Sequence, residues 1–152
     1  MARWGPWTSR QGHLPRRTCG GEHRADPSAV RRFALGDMSV ALAALSEDVD
    51  WQAPVTGQDC SLAWAGRRRG RAAVQEYFAG LGASVRPEPF QDLVFTAGAD
   101  RVIVEGRNAG TVLATGRRYE HAWAMVFTIT DGHVVRFRHY YDPADIQHAF
   151  TA

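Results

Sequence analysis

The chain contains no lysine: all 18 of its basic residues are arginine. Lysine Schiff-base chemistry and a phosphate-binding loop built on lysine are therefore excluded. Cysteine is scarce too. Cys19 and Cys60 form neither a CxxC pair nor a Cys/His metal spacing, which argues against a zinc site and a disulfide framework. No apolar run approaches the roughly 20 residues of a membrane-spanning helix. The opening stretch MARWGPWTSRQGHLPRRTCGGEHRA has no apolar h-region, and Arg16-Arg17 is not followed by an apolar stretch. Neither a secretory nor a twin-arginine signal is expected, and a cytoplasmic location follows.

What remains is a 152-residue chain, the size of one domain with a real core. Its formal net charge of +2 is unevenly spread. Residues 1–25 hold five Arg and one Glu, whereas the rest holds 13 Arg and 15 acidic residues. The basic character belongs to a Gly/Arg-rich arm, expected to be disordered, and residues 26–152 form the domain. Without a clustered basic face on that domain, nucleic-acid binding is not expected. The abundance of arginine resembles high-GC bacterial coding, which suits a role in secondary metabolism.

Along the domain, Asp26-Pro27 reads as a helix start and Gly36 as its stop. Asp37 caps a second helix near 38–46. Asp50–Pro54 reads as a short strand closed by proline, followed by a loop up to Gly70 that includes Arg67-Arg68-Arg69. Ala73, Val74, Tyr77, Phe78 and Leu81 have helical spacing, with Gly82 as terminator. After Pro87 the period changes to strands near 88–97, 101–112, 117–130 and 133–142. Helices followed by an antiparallel sheet give an α+β fold.

The last hairpin is the most informative. The odd positions of strand 117–130 are Tyr119, His121, Trp123, Met125, Phe127 and Ile129. Those of the next strand include Val135, Phe137, His139 and Tyr141. Both sets should face inward. A two-residue Asp131-Gly132 turn would pair Phe127 with Arg136 and mix the faces. A three-residue loop starting at Thr130 keeps odd with odd, setting Trp123 opposite His139, His121 opposite Tyr141, and Met125 opposite Phe137. Two histidines, a tyrosine and a tryptophan then converge on a concave face.

These residues resemble a known family. Gly36-Asp37 through Trp51, Ala65-Gly66-Arg67-Arg68-Arg69-Gly70-Arg71-Ala72-Ala73-Val74, Asp131-Gly132 and Tyr141-Asp142 are similar to SnoaL-like proteins of the nuclear transport factor 2 and ketosteroid isomerase superfamily. The resemblance implies a cone: a curved antiparallel sheet wrapped over three N-terminal helices, enclosing a pocket. It also implies a homodimer through the outer face of the sheet, where Ala122 and Ala124 suit a contact. The ketosteroid isomerase base falls on Ala53 and its oxyanion acid on Met125, so that mechanism is not expected. The acid of SnoaL-type cyclases and that of limonene epoxide hydrolases both fall on His139. The hydrolases' Arg-x-Asp element falls near Arg107 and Asn108.

The expectation is a cofactor-free, metal-free acid–base enzyme that isomerises, cyclises, hydrates or opens an epoxide on a hydrophobic, ring-containing small molecule. His139 is the proton shuttle, with Tyr141 and His121 as donors to an oxyanion. Trp51, Trp64, Phe78, Trp123, Met125, Phe127, Phe137, Arg107 and Asn108 are the candidate ligand contacts. Asp142-Pro143 repeats the helix-start signature and reads as a cap rather than a catalytic acid. The rival expectation is a non-catalytic ligand-binding or dimerisation module, for which the aromatic lining alone suffices.

Overall fold

The computed structural model describes residues 27–54, 62 and 64–151. The N-terminal arm, Asp26 and Cys60 lie outside them. The elements in order are α1 (Ser28–Ala34), α2 (Met38–Ala43), β1 (Leu45–Ala53), β2 (Gly66–Arg69), α3 (Arg71–Ser84), β3 (Val85–Pro87), β4 (Gln91–Ala97), β5 (Arg101–Val112), β6 (Arg118–Thr130), β7 (His133–Tyr141) and α4 (Ala144–Phe150). The fold is α+β, as expected from the change of period, and has the cone form that the resemblance implies. A seven-stranded sheet runs β2-β1-β7-β6-β5-β3, with β4 also paired to β5. No helix of the described residues is long and apolar enough to cross a membrane.

The α1–α2 corner forms for the reasons legible in its residues. Gly36, at φ +88°, takes the left-handed conformation that ends α1. Its N–H bonds to the Phe33 carbonyl, and the Asp37 N–H to the Arg32 carbonyl, the paired bonds of a Schellman ending. Asp37 Oδ1 then accepts from the Val40 N–H at 3.2 Å and caps α2.

Three expectations need correction. The sheet is mixed, because β1 runs parallel to β7, with Trp51 beside Phe137. Arg67-Arg68-Arg69 is not a loop but edge strand β2, antiparallel to β1. Helix α3 does not stop at Gly82; it runs to Ser84, whose hydroxyl donates to the Gly80 carbonyl at 2.8 Å.

The β6–β7 hairpin reaches the expected face parity by a different route. Asp131 and Gly132 both have positive φ, 49° and 78°, and Thr130 pairs with His133. This is the two-residue type I′ turn. A β-bulge then restores parity: Ile129 pairs with Val134 and Thr128 with Arg136, so Val135 is the extra residue. Val134, not Val135, is buried. Beyond the bulge Phe127 faces Phe137, Met125 faces His139 and Trp123 faces Tyr141. The register is thus two residues from the one expected, and the odd side chains from Phe137 onward stay inside while Val135, expected inside, does not.

Candidate active site

The concave face of β5, β6 and β7 closes against α1, α3 and α4 around a cavity of about 470 Å³. Its lining includes the α1–α2 corner, where Leu35 is exposed, and the Pro87–Phe90 segment. Aromatic rings make the walls. Trp51 and Phe137 stack at 3.7 Å and 18°, and Phe78 meets Trp51 edge-on at 5.5 Å. Phe90 closes on Trp123 at 4.9 Å.

Strand alternation brings His121 and Trp123 on β6, and Phe137, His139 and Tyr141 on β7, to the same wall. Tyr141 sits between the imidazoles, its ring centroid 4.8 Å from that of His139 and 5.0 Å from that of His121. Its hydroxyl accepts from Trp64 Nε1 at 3.2 Å. Trp64 is itself held against Phe150 of α4. Trp123 and His139, expected to pair directly, are instead diagonal neighbours at 6.0 Å.

This wall carries no net charge. Burial lowers His139 to about 3, and the neighbouring His121 adds to the shift. Burial likewise lowers His121 to about 4, against a small opposing effect of Asp145. Both rings are therefore neutral near pH 7. Burial raises Tyr119 to about 12 and pushes Tyr77 higher still. The phenols are hydrogen-bonding groups here, not anions. Among the described residues Glu88 is the one acid lining the cavity, and its carboxylate is paired with Arg118 at 3.0 Å. His139 Nε2, His121 Nδ1, Trp51 Nε1 and Trp123 Nε1 are buried without a hydrogen-bond partner among the described residues.

Of the candidate residues, His139, His121, Tyr141, Trp51, Trp64, Phe78, Trp123, Met125, Phe137 and Asn108 line the cavity. Two do not. Arg107 is exposed on the outer face of β5, paired with Glu120, because Val102, Val104, Gly106 and Asn108 take the inner positions. Phe127 is buried in the core below the cavity, between Phe33 at 5.6 Å and Phe137 at 5.0 Å. Asp142 serves at the start of α4, its Oδ1 accepting from the Ala144 N–H at 2.9 Å. Sequence reasoning missed Tyr119, Tyr77 and Glu88 as lining residues. Tyr119 shares the odd face of β6 with His121, so the same alternation points to it. Glu88 lies in a connection and carries no periodic signal.

Known proteins of this shape are found in several bacteria. The chain superposes on a nuclear transport factor 2-like protein of Burkholderia xenovorans with a TM-score of 0.69 and 27% identity, covering 81% of this chain and 90% of that one. A proposed isomerase of Bacillus subtilis gives 0.68 and 26%, covering 80% and 89%. A proposed polyketide cyclase of Xanthomonas campestris pv. campestris gives 0.67 and 25%, covering 82% and 92%. A curated relative, the uncharacterized protein YesE of Bacillus subtilis, is 29% identical over 86 residues, 55% of this chain and 58% of the relative's length. The SnoaL-like domain family matches residues 28–137. With the cone, the cavity and that match in place, the chain belongs to the SnoaL-like domain family.

Proposed function

We propose that the chain is an acid–base enzyme, needing no cofactor, that isomerises, cyclises, hydrates or opens an epoxide on a hydrophobic ring-containing small molecule. One observation carries this reading: His139, Tyr141 and His121 converge on an uncharged, aromatic cavity of about 470 Å³. That volume suits a molecule of a few fused rings. The names of the proposed isomerase of Bacillus subtilis and the proposed polyketide cyclase of Xanthomonas campestris support isomerisation and cyclisation among these.

His139 is the proton-moving group. Its imidazole is neutral in the empty site, so it is ready to accept a proton. A base this weak works only if the anion it creates stabilises the imidazolium, which is what an enolate or phenolate held beside it does. Tyr141 and His121 flank it as donors to the developing oxyanion. The rival is a ligand-binding module without turnover. It is favoured by one specific feature: among the described residues no carboxylate is hydrogen-bonded to either imidazole.

Deuterium exchange at the α-carbon of 2-tetralone, followed by NMR, separates the two. The enzyme reading expects exchange above the buffer rate. It expects His139→Ala and His139→Gln to lower that rate by roughly 10²–10⁴-fold, with binding weakened much less. Because His139 titrates well below neutrality, the rate should be flat from pH 6 to 9 as far as this group is concerned. Bound 2-tetralone with no exchange supports the binding module.

The proposal extends to a homodimer through the outer face of β6. Ala122 is exposed there, and Ala124 pairs with the exposed Tyr140. Ala124→Arg should convert dimers to monomers on sizing. A wild-type monomer at micromolar concentration overturns this part.

A further inference from the structure

Asn108 stands apart from the rest of the cavity wall. Among the described residues it is one of two buried polar side chains in the core, at 6% exposure, the other being His121. The two are direct partners across β5 and β6. Asn108 Nδ2 donates to the Glu88 carbonyl at 3.0 Å. A carbonyl only accepts, so this bond fixes which end of the carboxamide is nitrogen.

The receiving carbonyl is itself held in place. The Glu88 N–H donates to the Ala109 carbonyl at 2.8 Å, and the Glu88 carboxylate is held by Arg118 at 3.0 Å. Asn108 lines the cavity, and its nitrogen end is committed to the Glu88 carbonyl, which leaves the carboxamide oxygen as the end available to a ligand.

We infer that Asn108 is a hydrogen-bond-accepting subsite that selects ring compounds carrying a hydroxyl group over ethers of the same shape. The inference rests on the proposed reading of the cavity as a ring-binding site, and it names one functional group of the ligand. An acceptor locked in this orientation rewards an O–H donor and leaves an ether oxygen facing an unmatched lone pair. Among the described residues arginine is absent from the lining, and Glu88 is its one carboxylate. A neutral hydroxyl is thus favoured over an acid as the donor.

Calorimetric titration at pH 7 with 2-naphthol and with 2-methoxynaphthalene tests this. Wild type should bind 2-naphthol roughly tenfold more tightly, the scale of one neutral hydrogen bond. Asn108→Ala should bring the two affinities within about twofold, mainly by weakening 2-naphthol. Asn108→Ser, which keeps a hydroxyl for the Glu88 carbonyl, takes its place if the alanine variant fails to show a cooperative melt. A purely structural strut for the Pro87–Phe90 segment weakens both probes equally, and that result overturns the subsite while leaving the cavity reading intact. Equal binding of the two probes by wild type also overturns it. Failure of both to bind wild type overturns the cavity reading and the subsite together.

Discussion

Both faces of β5, β6 and β7 carry titratable side chains, and the two sets are handled in opposite ways. On the inner face His139, His121 and Tyr119 are buried among rings and kept neutral. On the outer face Arg107, Glu120, Arg118 and Glu88 form a ladder of exposed ion pairs. At the far side Asp50 bridges Arg138 at 2.5 Å and Arg67 at 2.8 Å. Neighbouring residues of one strand thus differ in charge state because one side is enclosed and unpaired while the other is exposed and paired. Desolvation without a partner suppresses charge; a partner at the surface preserves it.

The steepest way to break this contrast is acid. A histidine held neutral in the fold regains its ordinary basicity on unfolding, so the unfolded chain binds more protons below about pH 6.5. Stability is therefore complete above that pH and falls as pH drops towards the folded values of about 3 and 4. At pH 5 the cost is about 2 kcal/mol for each of the two histidines. Urea denaturation at pH 7 and pH 5 measures it. The double variant His121→Gln/His139→Gln should flatten the slope, and an unchanged slope would mean that the rings are solvated.

Crowding the inner face comes next. A Cβ on Gly110 would lie 2.6 Å from the Tyr119 hydroxyl and 2.8 Å from the Arg86 backbone carbonyl. Backbone cannot yield as a side-chain tip can, so Gly110→Ala should destabilise by about 1–3 kcal/mol. At Gly106 the nearest atoms belong to the Trp123 indole and Leu93. Gly106→Ala should act more on ligand binding than on melting, because the indole can shift into the cavity. Thermal melts and 2-naphthol titrations distinguish the two.

Asp50 tests the partly buried part of the outer face. Arg138, the larger influence, and Arg67 hold its carboxyl down at about 2. The stabilisation is present above the unfolded value near 3.9 and is lost as pH falls towards 2. Asp50→Asn should cost about 1–2 kcal/mol at pH 7, allowing for partial solvent screening, with the gap from wild type closing near pH 2. An undiminished difference at that pH would point to packing instead of charge. Smallest of all is Glu120→Gln in the exposed ladder, expected to move Tm by about one degree or less. A larger shift would show that this ladder is covered by a second copy of the chain.

The same contrast explains what could be read in advance. Alternation along β6 and β7 named His121, Trp123, Met125, Phe137, His139 and Tyr141 as inward-facing, and all six line the cavity. Gly36 and Asp37 marked the α1–α2 corner because their roles depend on the next few residues only. Alternation along β5 was less decisive, since Ile103 and Val104 are both apolar and Ala109 and Gly110 are both small. Arg107 and Asn108 were grouped because the hydrolases' Arg-x-Asp element falls near both, although the two point to opposite faces. The β2 edge strand escaped because three consecutive arginines carry no apolar alternation. It exists through pairing with β1 and the contact of Arg67 with Asp50.

The sequence by itself determined the order of the helices and of the longer strands, the cap at Asp37, and which side of most of each hairpin strand faces in, because these depend on residues within a turn or two of one another. Only the tertiary structure decided the rest. The bulge at Val135 set which inward residues meet, placing Met125 and not Trp123 across from His139. The parallel docking of β1 on β7 brought Trp51 onto Phe137. Closure of the helices over the sheet enclosed His139 and His121 and so fixed their charge. Charge follows from how much water distant segments exclude, and no local pattern of residues encodes that distance.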